Sequence, residues 1–332
     1  KNRASLVSTF FGEKVERTIA LIGQLDTHNI LRVESWNYPP YRATFKDGFV
    51  YGRGTSNMKG GLASIILALQ EVVRKKKRFP VNIILCLTAD GELNGTGAKK
   101  IVEGGFLDNA TELIFVEPTD GKIAIAQKGA LWVKILTKGR ACHTCYPENG
   151  IDAIEHLIGF HKILKRRVLS GQNSHPLLGN PLCMLTEING SGSLPNFIPD
   201  RCEGVIDIRL LPSQGNAEIL DEMSRIAVKM MSKVPGLSIE RDVFVDRKPS
   251  TMPKNSPVVI RFVQILKELK MDTSLQGFHS FSDVSRIVPF LGLPFVIIGP
   301  GEDIVETTIN ERVSLSSVVD VAKVLLRYIE SA

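Results

Sequence analysis

Three short apolar runs limit what this chain can fold into: TIALIG (Thr18–Gly23), VNIILCLTA (Val81–Ala89) and LIFV (Leu113–Val116). Each is brief and continuous, bounded by polar residues, and reads as a strand buried on both faces. The residues that follow them are Gln24-Leu25-Asp26, Asp90-Gly91-Glu92 and Glu117-Pro118. Between the first two runs, residues 57 to 77 place Ile65, Ile66, Leu69, Val72 and Val73 at helical spacing, with Pro80 as the stop. A shorter helix is expected near Ala98–Val102. Strands alternating with helices predict a parallel or mixed sheet covered on both faces. Ligands in such sheets bind beyond the carboxyl ends of the strands, and Asp26, Asp90, Glu92 and Glu117 all fall there.

From about Ala130 the texture changes. LWVKILTKG and CEGVIDIRLLP alternate as half-buried strands do, LSIERDVF reads as a further strand, and 151–164 and 217–234 carry helical periodicity. This β-α-β-β-α-β rhythm suits a ferredoxin-like α+β unit. After Lys248 the buried helices resume (257–270 and 315–328), with one more apolar strand at Pro294–Gly299. The expected plan is a discontinuous α/β mixed-sheet domain, 1–126 plus 245–332, carrying an inserted domain at 127–244.

Composition removes several classes of function. With 332 residues, 43% hydrophobic and 23% charged, the chain is not disordered. Its longest apolar stretch, 288–298, is interrupted by Pro289 and Pro294, so no membrane helix is expected. The net charge of +6 is modest, and the basic cluster from Arg74 to Arg78 sits where a helix should end. Cations complement the carbonyl end of a helix, so a solvated helix end is favoured over a nucleic-acid surface. Five cysteines, an odd number with Cys86 inside an apolar run, suggest reduced thiols and a cytoplasmic setting. Cys142 and Cys145 form a single C-x-x-C, too little for a zinc knuckle. The chain opens on Lys1 and runs almost directly into a strand, so an N-terminal helix and its flanking strand are expected ahead of it.

Six segments in order carry a family resemblance: YGRGTSNMKGG (Tyr51–Gly61), LTADGELNGTG (Leu87–Gly97), VEPTD with QKG (Val116–Gly129), GRACHTCYPENG (Gly139–Gly150), LPNFIPD…IDIR (Leu194–Arg209) and IIGPG…NE (Ile297–Glu311). Together they resemble the zinc deacylases and peptidases typified by acetylornithine deacetylase, succinyl-diaminopimelate desuccinylase and bacterial glutamate carboxypeptidase. The resemblance implies a peptidase-like domain with an inserted dimerisation domain. It also implies two zinc ions that polarise an amide carbonyl and acidify a water, with a glutamate taking the proton.

Position by position, the inventory that the resemblance implies is incomplete. The metal-ligand positions fall on Gln24, Asn57, Glu92, Glu117 and Thr307, and the general-base position falls on Gly91. Histidines are expected at 24 and 307 and a bridging aspartate at 57, so only Glu92 and Glu117 keep a ligand type. Neutral amide oxygens bind zinc poorly and glycine accepts no proton. His28, two residues beyond Asp26, could serve as a relocated ligand, as could His279; a surface or core histidine is favoured for each. The oxygen-bearing set could also suit Mg²⁺ or Ca²⁺, although decay of a vacated site explains the same residues. A thiolate of Cys142 or Cys145 activated by His143 could carry an acyl group, but sequence neighbours need not face each other.

The substrate-gripping part is more complete. By resemblance, Asp26 and His143 occupy catalytic positions, His143 reaching a partner subunit's site, while Asn196 and Arg209 hold a substrate carboxylate. Arg209 could equally form an ion pair with Asp207 or Asp200, and Asn196 could simply make a turn before Pro199. Two readings stand. In the first the protein has lost two-zinc hydrolysis and binds a small carboxylated amino-acid or N-acyl-amino-acid ligand, or runs metal-independent acyl transfer or condensation, with no cofactor. In the second it is a zinc- or other divalent-cation-dependent hydrolase of N-acyl amino acids or small peptides with relocated ligands. Under both, a homodimer through the inserted domain is the expected partner.

Overall fold

In the computed structural model, which describes residues 3–30, 32–75, 78–170, 174–302 and 309–331, the chain divides into two units. The first comprises Lys1–Gln127 and Ser250–Ala332, and the second Lys128–Pro249.

The three apolar runs lie side by side in the first unit as β2 (Gly12–Gln24), β5 (Phe79–Thr88) and β6 (Glu112–Phe115). With β1 (Leu6–Phe10), β7 (Ile123–Gln127), β12 (Ser250–Thr251) and β14 (Phe295–Ile297), they form a mixed sheet in the order β1-β5-β2-β6-β14-β7-β12. A further strand, β13 (Leu275–Phe278), pairs with β7. The pairs β5–β2, β2–β6 and β6–β14 are parallel, Gln24 standing opposite Thr88 and Ile22 opposite Phe115. That register aligns three carboxyl ends and delivers the residues after each strand to one place.

Helices cover both faces. On one, α2 (Thr96–Glu103) and α6 (Val284–Leu291) pack Ala98, Ile101, Val284 and Ile287 onto Ile22, Ile84, Cys86 and Phe115. On the other lies α1 (Gly60–Arg74), whose Gly61 sits so close to the sheet that a Cβ there would fall 2.1 Å from the Val116 carbonyl. Ser64 Oγ of α1 donates to the Val318 carbonyl of α7 (Leu315–Glu330), and Phe262 of α5 (Pro257–Glu268) stacks on Tyr328 of α7 at 4.1 Å. A small third sheet joins β3 (Thr44–Lys46), β4 (Phe49–Tyr51) and β15 (Arg312–Ser314). The expected helix ends at Arg74 rather than at Pro80, which lies inside β5. Arg74 pairs with Glu71 and Lys75 with Glu330, as suits a solvated helix end.

The second unit is a four-stranded antiparallel sheet, β11-β8-β10-β9, built from β8 (Gly129–Lys138), β9 (Leu182–Gly190), β10 (Arg201–Leu210) and β11 (Ser238–Arg247). With α3 (Ala153–Leu169) and α4 (Asn216–Lys233) between them, the chain order is β-α-β-β-α-β. The core joins Leu131, Val133, Ile206 and Ile208 of the sheet to Phe160, Leu164 and Met223 of the helices. The unit extends to Pro249, beyond the expected limit at 244, because a bulge between Val243 and Val245 lets β11 continue to Arg247. No described helix is long and apolar enough to cross a membrane. All five cysteines are unpaired.

Candidate functional site

Beyond the aligned strand ends, Glu92 is the centre of a polar cluster. Gln24 Nε2 donates to Glu92 Oε1 at 2.6 Å and Asn57 Nδ2 to the same oxygen at 3.0 Å. His28 Nε2 lies 2.9 Å from Oε2. A carboxylate only accepts, so both carboxamides must turn their NH₂ groups toward it. The hydrogen bond to Glu92 raises the pKa of His28 above its ordinary 6.5, against the opposing effect of burial. His28 is therefore no isolated surface histidine.

Asp26 faces backbone. Its carboxylate accepts from the amides of Gly91 (2.9 Å) and Glu92 (3.2 Å), fixing the loop that follows β5. Gly91 in turn leaves the space that Gln24 fills: a Cβ at position 91 would lie 2.0 Å from Gln24 Oε1 and 2.8 Å from Gln24 Cβ. Glu117 is buried at the neighbouring strand end. Thr307 lies outside the described residues, and His279 is exposed.

Glu311 received no role from the sequence, although it closes the last segment that carries the resemblance. It is fully buried and accepts from the amides of Gly54 (2.7 Å), Ser56 (2.8 Å) and Asn57 (3.0 Å), and from Arg53 Nη1 (3.0 Å). Burial pushes its carboxyl above the ordinary range, while those three amides and the guanidinium pull it back. Arg53 also sits 5.2 Å from the centre of the Trp36 ring. Glu311 thus clamps the turn that presents Asn57 to Glu92. A carboxylate placed at a knot of turn amides has no local sequence signature, since its partners come from another part of the chain.

In the second unit the structure brings His143 and Asn196 together, with Asn196 Nδ2 and His143 Nε2 3.0 Å apart. The Cys145 amide faces His143 Nδ1 at 3.2 Å. With N–H groups facing both ring nitrogens and a neutral ring able to accept at only one of them, the tautomer decides which contact is the hydrogen bond. The Cys142 thiol points to the Tyr146 carbonyl. No hydrogen bond joins either thiol to the imidazole. Arg209 gives Nε and Nη2 to Asp207 at 2.9 and 3.0 Å and lies 6.0 Å from the Trp132 ring. Of the ion pairs expected for it, the one with Asp207 forms.

Among the described residues, no group of three or more His, Cys, Asp or Glu side chains is arranged to hold a metal ion.

Known proteins share both the sequence pattern and the fold. A probable succinyl-diaminopimelate desuccinylase of Staphylococcus aureus is 27% identical over 326 residues, covering 89% of this chain and 78% of that protein. An uncharacterized metallohydrolase of Methanocaldococcus jannaschii is 25% identical, with 93% and 80% covered. Among solved structures, a di-peptidase of Saccharomyces cerevisiae superposes with a TM-score of 0.80 at 13% identity, over 98% of this chain and 82% of that one. A metallo-carboxypeptidase of Sulfolobus solfataricus gives 0.79 at 16% identity, over 98% and 87%. The family model for peptidase family M20/M25/M40 matches residues 20–331. With nearly the whole chain inside that match, the protein belongs to peptidase family M20/M25/M40.

Proposed function

We propose that this chain keeps the M20 fold without its two-zinc hydrolysis, and acts by binding a small carboxylated amino-acid or acyl-amino-acid ligand. The observation that carries this reading is the state of Glu92, whose carboxylate takes two carboxamide NH₂ groups and an imidazole. Zinc needs lone pairs from deprotonated or neutral ligands. Here Gln24 and Asn57, two of the positions assigned to ligands, turn an N–H to Glu92, and Gly91 supplies no base. The residues present do not fit a two-zinc centre.

The ligand class draws on other features. The printed name of the Staphylococcus aureus relative, a desuccinylase, supports an acylated amino acid. His143 and Asn196 form a ready hydrogen-bonding pair, and Arg209 would offer a carboxylate its guanidinium in competition with Asp207. Binding is favoured over acyl transfer because no thiol meets the His143 ring. Unpaired thiols support a reducing, cytoplasmic setting, and the inserted unit, with edge strands β9 and β11, is proposed to join two copies.

Elemental analysis tests the reading. Protein purified with added Zn²⁺, Mn²⁺ or Co²⁺ is expected to retain fewer than one ion per chain. The combined substitutions Gln24→His, Asn57→Asp, Gly91→Glu and Thr307→His are expected to create tight metal binding. Two firmly held ions per wild-type chain would overturn the proposal in favour of a metal-dependent hydrolase with relocated ligands.

A further inference from the structure

We infer that the Glu92 cluster is a receptor for a primary ammonium group. It deepens the non-hydrolytic reading above and rests on it. The inference comes from which hydrogen-bonding groups the cluster uses up and which it leaves. Gln24 and Asn57 each give one N–H to the same carboxylate oxygen of Glu92, and His28 Nε2 faces the other. The cluster also holds a carbonyl oxygen with nothing to accept. Asn57 is 7% exposed, and its Oδ1 is buried with no hydrogen-bond partner among the described residues. Gln24 Oε1 lies over Gly91, in the space a side chain there would need.

A buried acceptor left unpaired costs roughly 1–3 kcal/mol, so a group that donates to it is bound favourably. Charge points the same way. Asp26 and Glu92 bring two carboxylates to this corner, joined through the Asp26 bonds to the Gly91 and Glu92 amides, against the His28 imidazole, while the nearby Arg53 is paired with Glu311. A guest must therefore donate hydrogen bonds and carry positive charge. An alkylammonium does both, with three N–H groups on a compact cation. An acylated amine does neither well: it has lost its charge and keeps a single N–H. An anionic cluster with an unused carbonyl oxygen attracts a donor that carries positive charge. On this reading the ligand brings a free amino group, which an acylated amino acid supplies only from a second amine.

The test uses the full chain, chelator-treated at pH 7, with n-butylamine as the probe and N-butylacetamide and tetramethylammonium as controls. Backbone amide resonances of Gly91 and Asn57 are expected to shift saturably with butylammonium, to one equivalent, and to stay in place with both controls. Glu92→Gln is expected to weaken binding at least tenfold. Asn57→Asp, which keeps an oxygen acceptor and adds charge, is expected to retain it, so a folding defect in one variant does not decide the matter. Absence of a saturable shift in the wild type, or equal binding of N-butylacetamide or tetramethylammonium, would overturn the inference. Reloading the same sample with Zn²⁺ separates the two proposals. Two retained ions would sink the non-hydrolytic reading, whereas a zinc-free chain indifferent to butylammonium would sink only the ammonium site.

Discussion

Gly91 and Gln24 act as one unit. Because a Cβ at 91 would overlap the Gln24 side chain, Gly91→Ala is expected to displace Gln24 from Glu92 and to lower stability by about 1–3 kcal/mol, the usual cost of overpacking. In a Gln24→Ala background the same substitution should cost far less, and urea unfolding of the four proteins in a double-mutant cycle measures the difference. Additive effects would show that the two positions do not share that space. His28 makes a prediction in pH. Its folded pKa is raised by Glu92, so the imidazolium bond contributes stability that is complete below the unfolded value of about 6.5 and fades as pH rises through the folded value. The gap in urea midpoint between wild type and His28→Ala should be widest near pH 5.5 and shrink toward pH 8.5. A gap independent of pH would mean that His28 contributes by packing alone. Neither effect is visible in the sequence, where Gly91 reads as a missing base and His28 as one histidine among six.

At the level of elements, the buried strands and long helices were legible because their signals are local. Run length and period mark β2, β5, β6, α1 and α7; the start of α3 is fixed in the structure by Asp152, which accepts from the amides of Ile154 and Glu155. Removing that cap by Asp152→Ala should cost about 1 kcal/mol, with Asp152→Asn nearly neutral, read from thermal unfolding. An equal loss in both would place the contribution in the charge rather than in the hydrogen bonds. Less legible were β9 and α6. The first is an edge strand with exposed Leu182, Met184 and Ile188, so its alternation is blurred. The second carries Pro289 within eight residues, a breaker that tertiary packing of Val284 and Ile287 overrides.

For the whole molecule, the two-unit plan follows from the change of period near residue 130 and its return after 248. The inserted unit supplies the surface proposed for self-association. Light scattering of the full chain is expected to give twice the monomer mass. A monomer at micromolar concentration would remove any role for His143 in a partner's site while leaving the Glu92 cluster, contained in the first unit, untouched. By itself the sequence determined that a covered mixed sheet exists and that polar residues gather past the ends of three of its strands, since apolar runs and their polar termini are properties of neighbouring residues. Only the tertiary structure decided which side chains meet there. Gln24, His28 and Asn57 converge on one carboxylate, and Glu311, 255 positions from Ser56, holds the turn that makes this happen. Hydrogen bonds of that span depend on strand register and loop closure, which no local pattern encodes.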